Sequence, residues 1–210
     1  MELFCISGTC SLSPHILLEE IGEPFTVKLL DRDALEQKTP EYLAINPKGK
    51  VPALRVDGDV ITENVAIQTF LADRYSDRAL APTDPLGRAQ WLGYLAWLST
   101  TVHAYFRRFF RPGLYSEDEA AHASIAAAGR SNFLDSIAMI DEQLAGQEWI
   151  FGDQFTTADI YTHVFHSWAH VADFPVAELV NLKRHGDAMM GRPSTQAAFE
   201  REGISLELMA

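Results

Sequence analysis

Cysteine is scarce in this chain of 210 residues, which contains two, Cys5 and Cys10. Two thiols five positions apart at one end of a chain form no disulfide framework, and their spacing does not match a CxxC pair. The simplest interpretation is a protein of a reducing compartment, because structural disulfides belong to oxidising ones. We therefore expect a cytoplasmic protein in which each thiol has its own role.

Positive charge is in deficit, since 17 lysines and arginines face 29 acidic residues and leave a net charge of −12. This balance argues against binding to nucleic acid by general electrostatics, although it leaves room for a local basic pocket. Long apolar runs are lacking too, and none approaches the roughly 20 residues of a membrane span. With no signal-peptide pattern at the N-terminus, the sequence predicts no membrane association.

Strand and helix patterns alternate in the first third of the chain. Apolar residues 3–6 predict a buried strand, residues 16–21 a helix and the alternation at 25–30 a second strand. Strand, helix and strand within about 30 residues form a βαβ unit. Residues 57–59, Asp-Gly-Asp, then predict a hairpin between two more strands, followed by a helix at 65–75.

Helical patterns fill the remainder of the chain. Residues 88–110 predict one long helix, and Ser116 opens a capping-box pattern for another. Thr156 as N-cap and Asp159 at the third helical position predict a second capping box. The sequence thus divides into an α/β domain at 1–76, a linker at 77–87 and an all-helical domain at 88–210.

Cys10 lies at the turn between the first strand and the first helix, in the stretch from Ser7 to His15. The first amides of a helix lack internal partners, and the helix dipole places partial positive charge at that end. Both effects stabilise a thiolate, so Cys10 is the first candidate for a reactive group. Cys5 lies inside the strand and is predicted to be a small buried hydrophobe.

Four segments, in this order and at these separations, carry a family resemblance. They are Gly8-Thr9-Cys10-Ser11-Leu12-Ser13-Pro14-His15, Asn46-Pro47-Lys48-Gly49-Lys50-Val51-Pro52-Ala53-Leu54, Thr62-Glu63-Asn64 and Phe155-Thr156-Thr157-Ala158-Asp159. Together they resemble the soluble glutathione transferases, and within them the bacterial cysteine type, often called the beta class. The resemblance implies an α/β thioredoxin-like N-terminal domain, an all-α C-terminal helical bundle, a homodimer, glutathione as co-substrate and no metal.

The resemblance makes Cys10 a thiolate beside the glutathione sulfur. Such a thiol forms a mixed disulfide with glutathione, and it supports thiol-disulfide or peroxide chemistry as well as conjugation of electrophiles for detoxification. Other branches of the family activate the glutathione thiol with a Ser or a Tyr. The first strand contains no Tyr, so Ser11, and beside it Thr9, remain the alternatives. A hydroxyl that donates to the glutathione thiolate would lower the pKa of that thiol.

The residues that would hold glutathione follow from the same resemblance. Val51-Pro52 matches a cis-proline turn that leaves the Val51 backbone free to pair with the glutathione cysteinyl unit. Glu63 would take the γ-glutamyl ammonium, and Asn64 with the helix N-terminus its carboxylate. Lys48 and Lys50 are the nearest basic groups for the glycyl carboxylate.

His103 matches a histidine that cysteine-type enzymes place near the thiol, where it could exchange protons near neutral pH. Ala104 stands where the family commonly has Lys. Thr100 falls where the family uses a polar group to reach the partner subunit's glutathione. The basic residue that the family has after its second strand has no clear counterpart at 31–38.

Aromatic side chains near His103 indicate a second substrate of modest size and partly apolar character, either an electrophile or a disulfide. The candidate pocket residues are Thr9, Tyr105, Phe106, Phe109 and Arg107. His163, His166 and His170 share one helical stripe, but no fourth ligand accompanies them, so packing is expected rather than zinc. The alternative to an enzyme is a non-catalytic relative that binds a protein partner, which would have no need of Val51, Pro52 and Glu63.

Overall fold

The computed structural model describes residues 1–205. Its strands are β1 (Glu2–Cys5), β2 (Thr26–Leu29), β3 (Ala53–Val56) and β4 (Asp59–Thr62), and they form a sheet in the order β2-β1-β3-β4. β1 is parallel to β2 and antiparallel to β3, and β4 is antiparallel to β3. The predicted βαβ unit and hairpin are therefore confirmed. The carboxyl end of β1, in the middle of the sheet, leads directly into the segment that carries Cys10.

Helices account for most of the other described residues. They are α1 (Leu12–Ile21), α2 (Pro40–Leu43), α3 (Asn64–Arg74), α4 (Pro85–Trp97), α5 (His103–Phe110), α6 (Glu119–Gln143), α7 (Thr157–Val171), α8 (Val180–Met190) and α9 (Pro193–Glu202). Within residues 1–205, no helix combines the length and the apolar character that a membrane crossing requires.

The long helix predicted at 88–110 is interrupted. A π-helical segment, Leu98–Val102, joins α4 to α5, and Thr100 within it donates its hydroxyl to the carbonyl oxygen of Ala96 at 2.9 Å. A side-chain hydroxyl that bonds back to the preceding turn competes with the backbone ladder, a known source of helix distortion. The π segment places His103 at the first position of α5.

Local capping chemistry explains where two helices begin. The capping box at Thr156 and Asp159 is confirmed. The Thr156 side chain accepts a hydrogen bond from the backbone of Asp159, and the Asp159 side chain accepts one from the backbone of Thr156. The N-cap predicted at Ser116 is wrong by two residues. Asp118 caps α6 instead, with its carboxylate accepting a hydrogen bond from the Ala120 amide at 3.0 Å.

The described chain forms two units. One contains Met1–Pro82 together with the chain from Asp187 onward, and the other contains Thr83–Gly186. In the first unit, which we call the sheet unit, α9 packs against α1. The sequence placed α9 within a helical domain at 88–210, and those predicted domain boundaries stay a prediction.

The second unit, Thr83–Gly186, has a core of its own. Trp91, Phe133, Tyr161 and Phe165 are fully buried, and Phe106 stacks on Trp168 with ring centroids 4.7 Å apart. Aromatic burial of this kind supplies much of the stabilisation of a helical core.

Candidate active site

Hydrogen bonds around Ser11 fix the turn between β1 and α1. The buried Ser11 hydroxyl accepts from the Ile6 amide at 3.1 Å, donates to the Ile6 carbonyl oxygen at 3.2 Å and lies 2.7 Å from the Thr9 hydroxyl. Ser11 is the N-cap residue of α1, yet its side chain makes no capping bond. Its hydroxyl closes the turn, and with no exposed surface it does not face a ligand.

Cys10 occupies the outer side of this turn. Its thiol is partly exposed and lies 3.7 Å from the backbone carbonyl oxygen of Val51. Its own carbonyl oxygen accepts a hydrogen bond from the Asn64 side chain at 2.9 Å. A partly exposed sulfur at the entrance of α1 and beside the Val51 turn makes Cys10 the candidate reactive group of this unit.

Cys5 lies in a contrasting environment. It is fully buried in β1, and burial, followed by the negative charge of Glu202, raises the pKa of its thiol. A thiol that stays protonated and hidden from solvent is a poor nucleophile. The prediction that Cys5 is a buried hydrophobe and Cys10 the accessible thiol agrees with this geometry.

The Val51–Pro52 peptide bond is cis, as the sequence predicted. It lies directly before β3, whose first residue is Ala53. The Lys50 carbonyl oxygen just before it accepts hydrogen bonds from the Tyr42 hydroxyl and the Asn46 side chain, both at 2.7 Å. These buried donors hold the turn that presents the Val51 backbone beside Cys10.

Lysines gather at the turn before Val51. The Lys48 ammonium lies 2.6 Å from the Glu63 carboxylate and 3.0 Å from the Thr62 hydroxyl. Lys38 was missed by the sequence interpretation, which found no basic counterpart at 31–38. Its ammonium nitrogen lies 2.9 Å from the position that a Cβ on Gly49 would occupy, so it lies against the turn that carries Lys48 and Lys50. Only the folded structure shows that Lys38 lies near this turn, because the sequence of its own segment has no regular period.

Arg32 is a second basic residue that the sequence interpretation did not assign. Its guanidinium donates to the Ser7 carbonyl oxygen at 2.9 Å. Arg32 thereby supports the segment that leads to Cys10.

Glu63 and Asn64 have different roles at the start of α3. Glu63 has a φ of 75°, which side chains other than glycine rarely adopt, and its side chain is exposed. Strained backbone of this kind persists where the surrounding structure holds it and is common at ligand sites. Asn64 is buried, and its side-chain amide donates a hydrogen bond to the Cys10 carbonyl oxygen. The exposed Glu63 carboxylate, which pairs with Lys48, and the first amides of α3 are therefore the groups that this helix start offers to a ligand.

His103, Thr100 and the aromatic candidates lie in the unit formed by Thr83–Gly186. His103 packs edge-on against Trp168, with ring centroids 5.1 Å apart. Phe106 is buried, so it belongs to the core of its unit. Tyr105, Arg107 and Phe109 retain exposed surface and stay candidates for a second-substrate pocket, as does Thr9 in the sheet unit.

The histidine stripe of α7 is a packing feature. His163 and His166 are buried and stack with ring centroids 5.7 Å apart, while His170 lies near the helix end and is partly exposed. Burial, together with the neighbouring His166 and His185, lowers the pKa of His163 well below its usual value. The imidazole of His163 is therefore neutral in the folded protein.

Comparisons with known proteins establish the family of this chain. The family models of the glutathione S-transferase N-terminal and C-terminal domains match residues 8–74 and 119–201. Glutathione S-transferase GstA of Escherichia coli O157:H7 is 35% identical over 97% of this chain and 100% of its own length. The chain belongs to the glutathione S-transferase family.

Two solved structures extend the comparison. The beta class glutathione S-transferase of Sphingomonas chungbukensis is 35% identical, covers 98% of this chain and 100% of its own, and superposes with a TM-score of 0.86. A sphingomonad glutathione S-transferase complexed with glutathione is also 35% identical, with the same coverage and a TM-score of 0.85. The first supports the resemblance to the bacterial beta class, both support the fold, and the comparisons give no support to the non-catalytic alternative.

Proposed function

We propose that this protein is a glutathione transferase that binds glutathione in the sheet unit and uses Cys10 as its reactive thiol. The observation that carries the proposal is the Cys10 sulfur 3.7 Å from the carbonyl oxygen of Val51, beside the cis Val51–Pro52 bond. A peptide that pairs with the Val51 backbone as an added strand brings its own cysteine next to Cys10.

The charged ends of glutathione fit the groups on either side. The exposed carboxylate of Glu63 suits the γ-glutamyl ammonium, and the first amides of α3 suit the neighbouring carboxylate. The turn with Lys38, Lys48 and Lys50 supplies positive charge for the glycyl carboxylate. A tripeptide with one positive and two negative ends thus finds complementary charge in a protein with a large negative net charge.

Two reactions use this arrangement. In thiol-disulfide exchange, the Cys10 thiolate attacks one sulfur of glutathione disulfide, a Cys10–glutathione disulfide forms and a glutathione thiolate leaves. In conjugation, the bound glutathione thiolate attacks an electrophilic carbon and forms a thioether while the leaving group departs. Both need a sulfur held as thiolate at the entrance of α1.

Cys10 is a better candidate than Ser11 for the group beside the glutathione sulfur. The Ser11 hydroxyl has no exposed surface and is engaged by Ile6 and Thr9, so it would have to leave the turn to reach a ligand. We assign Ser11 to the support of the Cys10 turn. His103 is proposed for proton exchange, and Thr100 for contact with the partner subunit's glutathione. Tyr105, Arg107 and Phe109 are proposed for the second substrate.

The proposal includes a homodimer in the cytoplasm, on the resemblance of the sequence to the beta class. A modest, partly apolar electrophile or a disulfide is the proposed second substrate. Size-exclusion chromatography with light scattering at several protein concentrations tests the dimer.

The deciding experiment is intact-protein mass spectrometry after incubation with glutathione disulfide. Wild type is expected to gain about 305 Da, the mass of one S-glutathionyl group. The variant Cys10→Ala should gain nothing, and Cys5→Ala, the matched control, should still gain the adduct. An adduct on Cys10→Ala, or no adduct and no retention of wild type on immobilised glutathione, would overturn the proposal.

A further inference from the structure

Acidic residues are absent from the chain around α4 and α5. Residues 85–116 contain no Asp or Glu, although the whole chain has 29 of them. Residues 120–134 of α6 contain none either, and the acidic residues in between lie at the start of α6, where Asp118 is the N-cap. Three arginines lie near the end of α5, at Arg107, Arg108 and Arg111. Because α5 packs against α6, positive charge is concentrated there in a protein with a net charge of −12.

Arg108 is held in place at both ends of its side chain. Its backbone lies against Gly129 of α6, where an added Cβ would come within 2.9 Å of the Arg108 carbonyl carbon. Its guanidinium carbon lies 5.7 Å from the ring centroid of Tyr105 and 5.6 Å from that of Tyr115. A guanidinium over aromatic rings is stabilised by cation–π attraction and still presents its planar N–H donors to another group.

The arginines near the end of α5 lack acidic partners within residues 1–205. None of Arg107, Arg108 and Arg111 forms an ion pair or a side-chain hydrogen bond with this part of the chain. By contrast, Arg192 and Arg201 of the sheet unit each bond a glutamate of α1. Because Arg108 is partly buried and already ordered, an anion that reaches it gains charge-assisted hydrogen bonds at a small entropic cost.

The two tyrosine rings beside Arg108 have exposed surface. Tyr115 is 42% exposed, and Tyr105 is partly exposed. The turn that carries Tyr115 is fastened to α6, because Nε2 of His122 lies 2.8 Å from the carbonyl oxygen of Ser116. Rings of this kind stack on a flat apolar group, while a guanidinium binds a carboxylate through two parallel N–H···O bonds. The surface therefore suits a ligand that combines an aromatic ring with a negative charge.

We propose that Arg108, between Tyr105 and Tyr115, binds the acidic group of an aromatic anion, and that the second substrate is an aromatic electrophile with a carboxylate. Arg107 and Arg111 add positive charge that attracts such a ligand. The inference rests on the proposed function for the reaction with glutathione. The binding of the anion itself requires no glutathione.

The test uses chlorodinitrobenzoate and its methyl ester, two electrophiles with the same ring and leaving group that differ in one negative charge. In either reaction the glutathione thiol gives its proton to the buffer, and the thiolate attacks the ring carbon that carries chlorine. A C–S bond forms, the C–Cl bond breaks, and chloride leaves with its electron pair. Binding without reaction is measured by calorimetry with dinitrobenzoate, which has no leaving group, in the absence of glutathione.

Arg108→Met keeps the apolar stem and removes the guanidinium. We expect the KM for chlorodinitrobenzoate to rise about tenfold or more, and the affinity for dinitrobenzoate to fall by a similar factor, since charge-assisted hydrogen bonds are lost. The KM for the methyl ester should stay unchanged because the ester carries no charge, and this activity also shows that the variant is folded. Arg108→Lys retains the charge without the planar fork and should give intermediate values.

Arg88→Met is the matched control. Arg88 lies in α4 with its guanidinium carbon 4.5 Å from the ring centroid of Trp91, so the variant loses the same charge and the same kind of cation–π contact. It should leave both KM values and the affinity for dinitrobenzoate unchanged. Equal effects of Arg88→Met and Arg108→Met on the two anions would overturn the proposal. An equal rise of the KM for the anion and for the ester in Arg108→Met, or a wild type that does not bind dinitrobenzoate, would do the same.

The two proposals fail in different ways. If wild type conjugates neither electrophile and forms no glutathione adduct, yet binds dinitrobenzoate through Arg108, the proposed function fails and the anion site stands. If wild type conjugates the ester and Arg108→Met changes nothing for the anions, the anion site fails and the proposed function stands.

Discussion

The side-chain amide of Asn64 donates a hydrogen bond to the backbone carbonyl oxygen of Cys10 at 2.9 Å, which ties the start of α3 to the reactive turn. The bond links two parts of the proposed glutathione site, the segment with the Cys10 thiol and the first amides of α3.

Replacing Asn64 by Ala should therefore disturb the thiol. The variant removes one of the two donors of the Cys10 carbonyl oxygen and leaves the Ser13 amide at 3.3 Å, so we expect a loss of about 0.5–1.5 kcal/mol of stability. We expect slower glutathione adduct formation and an altered rate of Cys10 alkylation. Stopped-flow alkylation and urea unfolding measure the two effects.

Asn46→Ala is the control for Asn64→Ala. Asn46 makes the same kind of bond, from its amide to the Lys50 carbonyl oxygen, at the lysine turn. Asn46→Ala should raise the KM for glutathione and change the alkylation of Cys10 less than Asn64→Ala does, because Asn46 makes no contact with the Cys10 carbonyl oxygen. Alkylation that is unaffected in Asn64→Ala, or affected equally by both changes, would contradict the role given to Asn64.

Lys38→Met should weaken glutathione binding. The change keeps the apolar stem and removes one charge beside the turn at Gly49, so we expect the KM for glutathione to rise about three- to fivefold, with a smaller rise at high salt. Lys28→Met removes the same charge from β2, where Lys28 pairs with Glu36 at 3.6 Å. Steady-state kinetics in which Lys28→Met raises the KM as much would show that Lys38 acts only through net charge.

Gly129→Ala tests the close approach of α5 and α6. A Cβ on Gly129 would lie 2.9 Å from the carbonyl carbon of Arg108, which is backbone and cannot move aside cheaply. We expect the free energy of unfolding to fall by about 1–3 kcal/mol. Gly93→Ala in α4, where the added Cβ meets nothing within 4 Å, should instead gain about 0.5–1 kcal/mol. Equal changes in the two urea midpoints would contradict the packing argument.

His163 predicts an acid sensitivity of folding. Burial, with His166 and His185, lowers its pKa in the folded state, while the unfolded chain titrates near 6.5. Below about pH 6.5 the unfolded state therefore binds a proton that the folded state refuses, and stability falls by up to about 1.4 kcal/mol per pH unit.

His163→Leu removes that titration. Urea unfolding from pH 5 to 9 should show a shallower loss of stability below pH 6.5 for the variant, and parallel curves for both proteins above pH 7.5. Curves that stay parallel through the acid range would exclude His163 as the source of the sensitivity.

The local features of this protein could be predicted from its sequence. The order of strands and helices in residues 1–76, the capping box at Thr156 and the cis bond at Val51–Pro52 all depend on neighbouring residues or on a continuous motif. The N-cap of α6 was misplaced because Ser116 and Asp118 both suit that position. The Ser116 hydroxyl accepts from the Asp118 amide at 3.1 Å, and the Asp118 carboxylate then caps the helix.

Long-range partners escaped the sequence for a physical reason. Glu202 bonds Gly8 across 194 residues, and Lys38 approaches Gly49 from a segment without a period. No local propensity distinguishes such a residue from a solvated one. The burial of Ser11 is a similar case, since an N-cap hydroxyl is ordinarily expected to face the helix amides rather than the strand behind it.

The sheet unit is assembled from both ends of a chain that passes through the other unit in between. In α9, Arg192 and Ser194 bond Glu20 of α1, and Glu202 bonds His15. A chimera with a related transferase that is joined near Pro82 would replace α9 and leave Glu20 and His15 without these partners. A chimera that keeps this unit intact would have to take both stretches of sequence from the same protein. Alternatively, it would have to transfer Arg192, Ser194 and Glu202 together with the thiol segment.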